Sequence, residues 1–265
     1  MLHFVKETAI ALRAAPSHSA EMVSQLLFGQ RLKVLSQDAT QGWCQVQNQV
    51  DGYVGWVRTK SLAIASEPTN YCYYFQPLFE YIIIEQEGEK QKMPMVRGAE
   101  IHLAHPPTSS EVVLSIEEGL NYHFPVHFLS PAFSYTTELF CSLAYDYLNA
   151  PYLWGGKTIL GIDCSGLIQV VLTLLGVHLP RDAWHQEQVL TNVSLLDYQR
   201  GDIAFFSSEN GTIGHVGLLI SPTRILHAAG RVRIDYFNIK GIWDSKGEKT
   251  HTLHSIKRLP LYVQS

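Results

Sequence analysis

Charge is scarce in this sequence: 17% of the 265 residues are Asp, Glu, Lys or Arg, and the formal net charge is −4. A basic excess or a Lys/Arg cluster is the electrostatic footprint of nucleic-acid and anionic-membrane binding, so neither partner is expected. Long apolar runs are missing too, since no window approaches the roughly 18 apolar residues that cross a bilayer. The opening stretch MLHFVKETAIALRAAP is broken by Lys6, Glu7 and Arg13 and does not read as an export signal, so the expectation is a cytoplasmic chain. Cysteine is rare and dispersed, at Cys44, Cys72, Cys141 and Cys164. With no CxxC pair among them, neither a disulfide framework nor a zinc ribbon is indicated. Histidine is abundant, and His102 with His105, His123 with His127 and His251 with His254 imitate metal-ligand spacing. None is backed by the cysteine or carboxylate partners a tetrahedral site requires, so no metal and no cofactor is expected.

What is present is a globular composition, 46% hydrophobic with a mean hydropathy of zero, in a chain long enough for two or three domains. Residues 1–64 read as short alternating strands. MVSQLLFGQRLKVLSQ turns at Gly29, and GWCQVQNQVDGYVGWVRTKSL folds back at Asp51-Gly52, which implies a small barrel. Residues 65–133 hold further strand-like runs between polar turns, of a length that suits a second barrel. From Ser134 the period changes. TTELFCSLAYDYLN predicts a helix capped by Thr136 or Thr137 and stopped by Pro151, and a second helix, apolar on every side, follows DCSG. GDIAFF, GHVGLLIS, RILHAAG and SIKRLPLYV then read as strands, so residues 134–265 are expected to form an α+β domain with an antiparallel sheet.

Cys164 occupies the start of that second helix, with Asp163 as its cap. Unpaired N–H groups and the helix dipole at such a position favour a thiolate, and a thiol nucleophile also needs a base and a group that orients the base. His215 and His227 meet the requirement by strand geometry. Pairing GHVGLLI with RILHAAG through a three-residue loop, Ser221-Pro222-Thr223, sets His227 opposite Gly217 and puts both histidines on one face as diagonal neighbours. A two-residue loop would place them on opposite faces. Arg181 and Asp182 are expected to form a structural pair, and GRVRID, from Gly230, to present a solvated strand face.

Two stretches carry resemblances. LRAAPSHSAEMVSQLLFGQ, GWCQV and GYVGWV resemble the bacterial SH3-like domains that accompany cell-wall hydrolases. PYLWGGKTILGIDCSGLIQ, LPRDAWHQ, GDIAFF, GHVGLLI and ILHAAG resemble the NlpC family of papain-like cysteine peptidases, which cut γ-D-glutamyl–diamino acid bonds in cell-wall peptides. The resemblance implies Cys164 as nucleophile, His215 as base, His227 as orienting residue and Tyr152 as an oxyanion donor. It further implies that a free L-Ala amine on a small murein peptide is held by Asp163, Ser165, Glu21 and Tyr53, although Ala183 stands where relatives often have serine. The same Cys-His pair acting on another amide or ester would give an amidase or acyltransferase. A barrel serving only as a tether would give a general cell-wall endopeptidase.

Overall fold

The computed structural model describes residues 2–38, 42–64, 69–117, 119–208 and 211–260. The chain falls into two units that part after Phe133, the short stretch Lys157–Ile159 being counted with the first.

The first unit is all β. Seven strands form one sheet in the order Met22–Leu27, Ala9–Arg13, Val54–Arg58, Trp43–Asn48, Arg31–Asp38, Leu2–Val5 and Leu62–Ile64. Alternation along them turns Leu12, Leu26, Leu32, Cys44, Val46 and Val57 into a common core, against which Tyr53 packs half-buried. The turn read at Asp51-Gly52 joins Trp43–Asn48 to Val54–Arg58. Asp51 Oδ1 accepts the Tyr53 N–H at 3.0 Å, so the turn itself sets the tyrosine's backbone. Glu21 lies exposed just ahead of Met22–Leu27, with its carbonyl accepting the Ala14 N–H. Further along the chain, a four-stranded and a three-stranded sheet close over a second core that includes Phe75, Ile82, Met95, Ile101 and Phe124.

The second unit places its helices before its main sheet. Helix α1 (Thr137–Tyr145) is capped by Thr136, whose hydroxyl accepts the Leu139 N–H at 3.1 Å. It ends short of Pro151, and Asn149 then takes a left-handed φ of 70°. Helix α2 (Cys164–Leu174) is buried along nearly its whole length, as its all-round apolar sequence requires. A short helix α3 (Ala183–Val189) follows. The antiparallel strands Ile203–Ser207, Ile213–Ser221, Arg224–Ala229, Arg231–Asn238 and Gly241–Trp243 run in sequence order, and Lys249–Arg258 pairs with both the first and the last of them. The sheet thus closes on itself around Phe206, Leu219, Ile225, Phe237 and Ile256, and helix α2 packs on two of its strands. Among the described residues no helix is long and apolar enough to cross a membrane.

Candidate active site

The head of α2 is built around one carboxylate. Asp163 Oδ1 accepts the Gly166 N–H at 2.7 Å and the Ser165 hydroxyl at 3.3 Å, while Oδ2 accepts the Gly155 N–H at 2.8 Å and Arg181 Nη2 at 2.6 Å. Arg181 is 2% exposed and also donates through Nη1 to Ser165 Oγ at 2.8 Å. Arg181 reaches inward to Asp163, because a guanidinium this deeply buried needs a carboxylate beside it; the neighbouring charge of Asp182, which sits 4.0 Å from His185, acts on it as well. The glycine of DCSG is required by close approach: a Cβ on Gly166 would lie 2.3 Å from the Gly156 carbonyl oxygen. Cysteine, cap and preceding loop are therefore locked together.

Cys164 is 7% exposed. Its thiol rests against the neighbouring strand, where the Val216 amide hydrogen-bonds to it. The sequence expects the helix terminus to acidify this thiol, and the structure differs. Burial first, and then the charge of Asp163, push it up to about 12, against the Val216 and Ser165 amides and Arg181. At rest the Cys164 side chain is a neutral thiol. Among the described residues no hydrogen bond joins it directly to His215, which is adjacent to Val216 along the strand.

The two histidines stand as the register argument places them, Gly217 opposite His227. The route to that register differs from the expected three-residue loop. A two-residue turn at Pro222-Thr223 pairs Ser221 with Arg224, and a bulge between Leu219 and Ser221 takes up one residue and restores the pairing below it. Gly217 leaves the required room, since a Cβ there would lie 2.9 Å from the His227 Cβ. His215 Nε2 meets His227 Nδ1 at 2.8 Å, and His227 Nε2 meets Asp235 Oδ2 at 3.0 Å. Arg233 Nη2 donates to the same oxygen at 2.8 Å.

These contacts assign the protons. Asp235 is buried, which raises its pKa, yet the hydrogen bond and charge of His227, with Arg233, hold it below its ordinary range, so it is a carboxylate and accepts. His227 must then carry its proton on Nε2 and present a bare Nδ1. His215 in turn donates from Nε2, which leaves Nδ1 as its basic nitrogen. Burial, then His227, His251 and Arg233, keep His215 neutral, well below its usual 6.5. The His251 ring stacks on that of His215 at 4.3 Å and 26°, and its own pKa falls to about 4 through burial, then His227 and Arg233. Tyr152, half-buried, is joined to Ile162 by an isolated parallel bridge. Burial first, and then the neighbouring Cys164 thiol and Asp163 carboxylate, keep its phenol protonated, as a hydrogen-bond donor must be.

The second unit thus brings together Cys164, Asp163, Ser165, Tyr152, His215 and His227, while Glu21 and Tyr53 belong to the first. Sequence reasoning missed Asp235, the ion pair of Arg181 with Asp163 and the stacked His251. It took Arg233 for part of a solvated face, which is corrected by the bond to Asp235. Extending the strand count past Gly230 puts Arg233 opposite His227 and Asp235 one diagonal step away, so a signal was available.

Residues 149–249 match the NlpC/P60 family, and residues 12–62 match the bacterial dipeptidyl-peptidase SH3 domain. A gamma-D-glutamyl-L-lysine dipeptidyl-peptidase of Bacillus subtilis (strain 168) is 40% identical over 84 residues, which cover 31% of this chain and 28% of that protein. Dipeptidyl-peptidase 6 of Lysinibacillus sphaericus is 26% identical over 235 residues, covering 82% of this chain and 84% of its own. The crystal structure of an NlpC/P60 family protein from Bacillus cereus ATCC 10987 shares the fold, with a TM-score of 0.79 at 17% identity over 98% of this chain and 100% of that one. The chain therefore joins a bacterial dipeptidyl-peptidase SH3 domain to an NlpC/P60 domain, and it is a cysteine peptidase.

Proposed function

We propose that this peptidase hydrolyses the D-γ-glutamyl–diamino acid bond of small murein peptides that carry a free N-terminal L-Ala, in the recycling of cell-wall peptides. The observation that carries the chemistry is the chain of hydrogen bonds from Asp235 through His227 to His215, on the strand that holds the Cys164 thiol. The substrate class is supported by the relative whose name specifies γ-D-glutamyl-L-lysine and release of a dipeptide.

In the reaction, His215 Nδ1 takes the Cys164 proton as Sγ attacks the γ-carbonyl carbon of D-Glu. The Cys164 N–H and the Tyr152 hydroxyl stabilise the oxyanion. His215 then returns the proton to the departing amine, leaving a thioester. Water, deprotonated by His215, attacks the thioester carbonyl and restores the thiol. No ring rotation is needed, because His215 donates to His227 through Nε2 in both its neutral and its charged forms.

The free-amine requirement is assigned to Glu21, Tyr53, Asp163 and Ser165. Asp163 already carries four donors, one of them the Arg181 cation. Recognition of an ammonium therefore leans more on Glu21, and Glu21→Ala is expected to raise KM for free-amine peptides.

The test is mass spectrometry of products from L-Ala-γ-D-Glu-L-Lys, the matching diaminopimelate peptide and their N-acetylated forms. Release of L-Ala-D-Glu with free diamino acid, and a kcat/KM lower by roughly two orders of magnitude for acetylated peptides, is expected. Transfer of the acyl group to an acceptor other than water, or cleavage of a different amide, would replace this reading with the acyltransferase or amidase one. Equal cleavage of free and acetylated peptides would leave the barrel as a tether.

A further inference from the structure

A second cluster of reactive side chains lies in the first unit, outside the catalytic unit. The strands Tyr71–Phe75 and Glu100–Leu103 pair antiparallel, with Cys72 opposite His102 and Tyr74 opposite Glu100. Directly opposed residues share a face, so all four polar side chains stand on one side of this ladder, while Ile101 on the other side enters the second core. Glu100 is only 3% exposed. One of its oxygens, Oε2, meets His102 Nε2 at 2.9 Å, and the other, Oε1, is buried with no hydrogen-bond partner.

A carboxylate oxygen shut away from water and from donors is a costly arrangement that calls for a cation or a proton. A cysteine stands beside it: Cys72 Sγ, a Glu100 carboxylate oxygen and a His102 ring nitrogen all lie within 4.8 Å of one another. Glu100 and His102 also line a cavity of about 420 Å³. The sequence reading set aside His102 because His105 was its only evident partner. The fold supplies the missing thiol and carboxylate from across the ladder.

We propose that Cys72, Glu100 and His102 form a binding site for a borderline-soft divalent cation of the zinc class, with a fourth position filled by water. Thiolate, imidazole and carboxylate are the donors such ions take, at about 2.0–2.3 Å, which places neighbouring ligand atoms roughly 3.3–3.7 Å apart. Reaching that spacing needs His102 and Glu100 to part by a few tenths of an ångström and Cys72 to close in. Binding replaces the thiol proton, which leaves to solvent; the proton that His102 Nε2 and Glu100 Oε2 share moves to His102 Nδ1, which bares Nε2 as a ligand, and the carboxylate gains the cation that its buried Oε1 lacks. The ion pins two strands of the three-stranded sheet and takes no part in peptide cleavage.

The test uses the full chain, reduced, treated with chelator and desalted. Zinc titrated by calorimetry is expected to bind one to one at this site and to raise Tm. Cobalt(II) is expected to give tetrahedral ligand-field bands with a thiolate charge-transfer band. Cys72→Ser should lose the charge-transfer band and at least tenfold in affinity, whereas Cys164→Ala should keep both. His102→Gln, a variant that retains the thiol, should keep the thiolate band but bind more weakly. A thiolate band that survives Cys72→Ser and vanishes in Cys164→Ala would overturn the proposal by placing the ion on the catalytic cysteine. Failure of the wild-type chain to take up zinc or cobalt at stoichiometric concentration would overturn it outright.

Discussion

At the scale of single residues, the site is a sequence of proton positions. Cys164→Ala should fold as the parent does and lose turnover, and His215→Ala should cost on the order of 10²–10⁴ in kcat, the usual worth of a positioned general base. His227→Ala should cost less, because water can fill the gap and accept the His215 proton. Circular dichroism and steady-state kinetics on the three variants check the ranking. Asp235→Asn removes the charge that favours a protonated imidazole two hydrogen bonds away. It should lower kcat by roughly tenfold, as loss of an outer-shell carboxylate commonly does. It should also move the acid limb of kcat/KM to lower pH, since His215 and His227 would then hold a proton less tightly. An unmoved limb would reduce Asp235 to packing. The place of Cys164 at the head of α2 and of both histidines on one strand face could be read from the sequence, because a cap and a hairpin register each encode it. Asp235 could not be read as easily, because its meaning depends on a second hairpin and on Arg233 sharing its oxygen.

The secondary-structure elements tell a similar story. The cap of α2 was legible because Asp before a buried helix has one obvious use, and Asp163 performs it toward Gly166. The partner of that carboxylate was not, since Arg181 arrives from a loop eighteen positions along the chain and no local spacing encodes the meeting. Arg181→Met tests what the pair contributes. Removing one member of a buried ion pair typically costs about 3–5 kcal/mol, so chemical denaturation should show a loss of that order. A loss below about 1 kcal/mol would mean the three remaining donors suffice for Asp163.

For the whole molecule, the concentration of buried histidine in one closed sheet sets the response to acid. His215, His227 and His251 all have folded-state pKa values below the ordinary 6.5, each through burial first. Depressed values mean the unfolded chain binds protons that the folded chain refuses, so stability is greatest above about pH 6.5 and declines as the pH falls from there. The decline should continue toward the value of about 4 at which His251 itself titrates in the folded state. Denaturant midpoints measured from pH 7.5 to 4.5 check this. A midpoint flat across the window would show that the histidines are hydrated in solution. The strand-rich first unit and the helix-then-sheet order of the second were legible from hydrophobic period alone. The closing of the sheet was not, because Gly241–Trp243 is a three-residue strand, too short to announce itself.

The bulge between Leu219 and Ser221 has a consequence best put in genetic terms. It holds one residue more than the ladder needs. Loss of a single codon at Ile220 or within the turn can be absorbed by straightening the bulge, which leaves Gly217 opposite His227 and the two histidines on one face. Loss of a second codon opens the Ser221–Arg224 pair, and the three residues then left between Leu219 and Ile225 close the hairpin in the same register. Deletion of Ile220 alone, and of Ile220 with Thr223, should therefore both retain cleavage, and a loss of cleavage in either would show that the connection itself, and not only the register, is required.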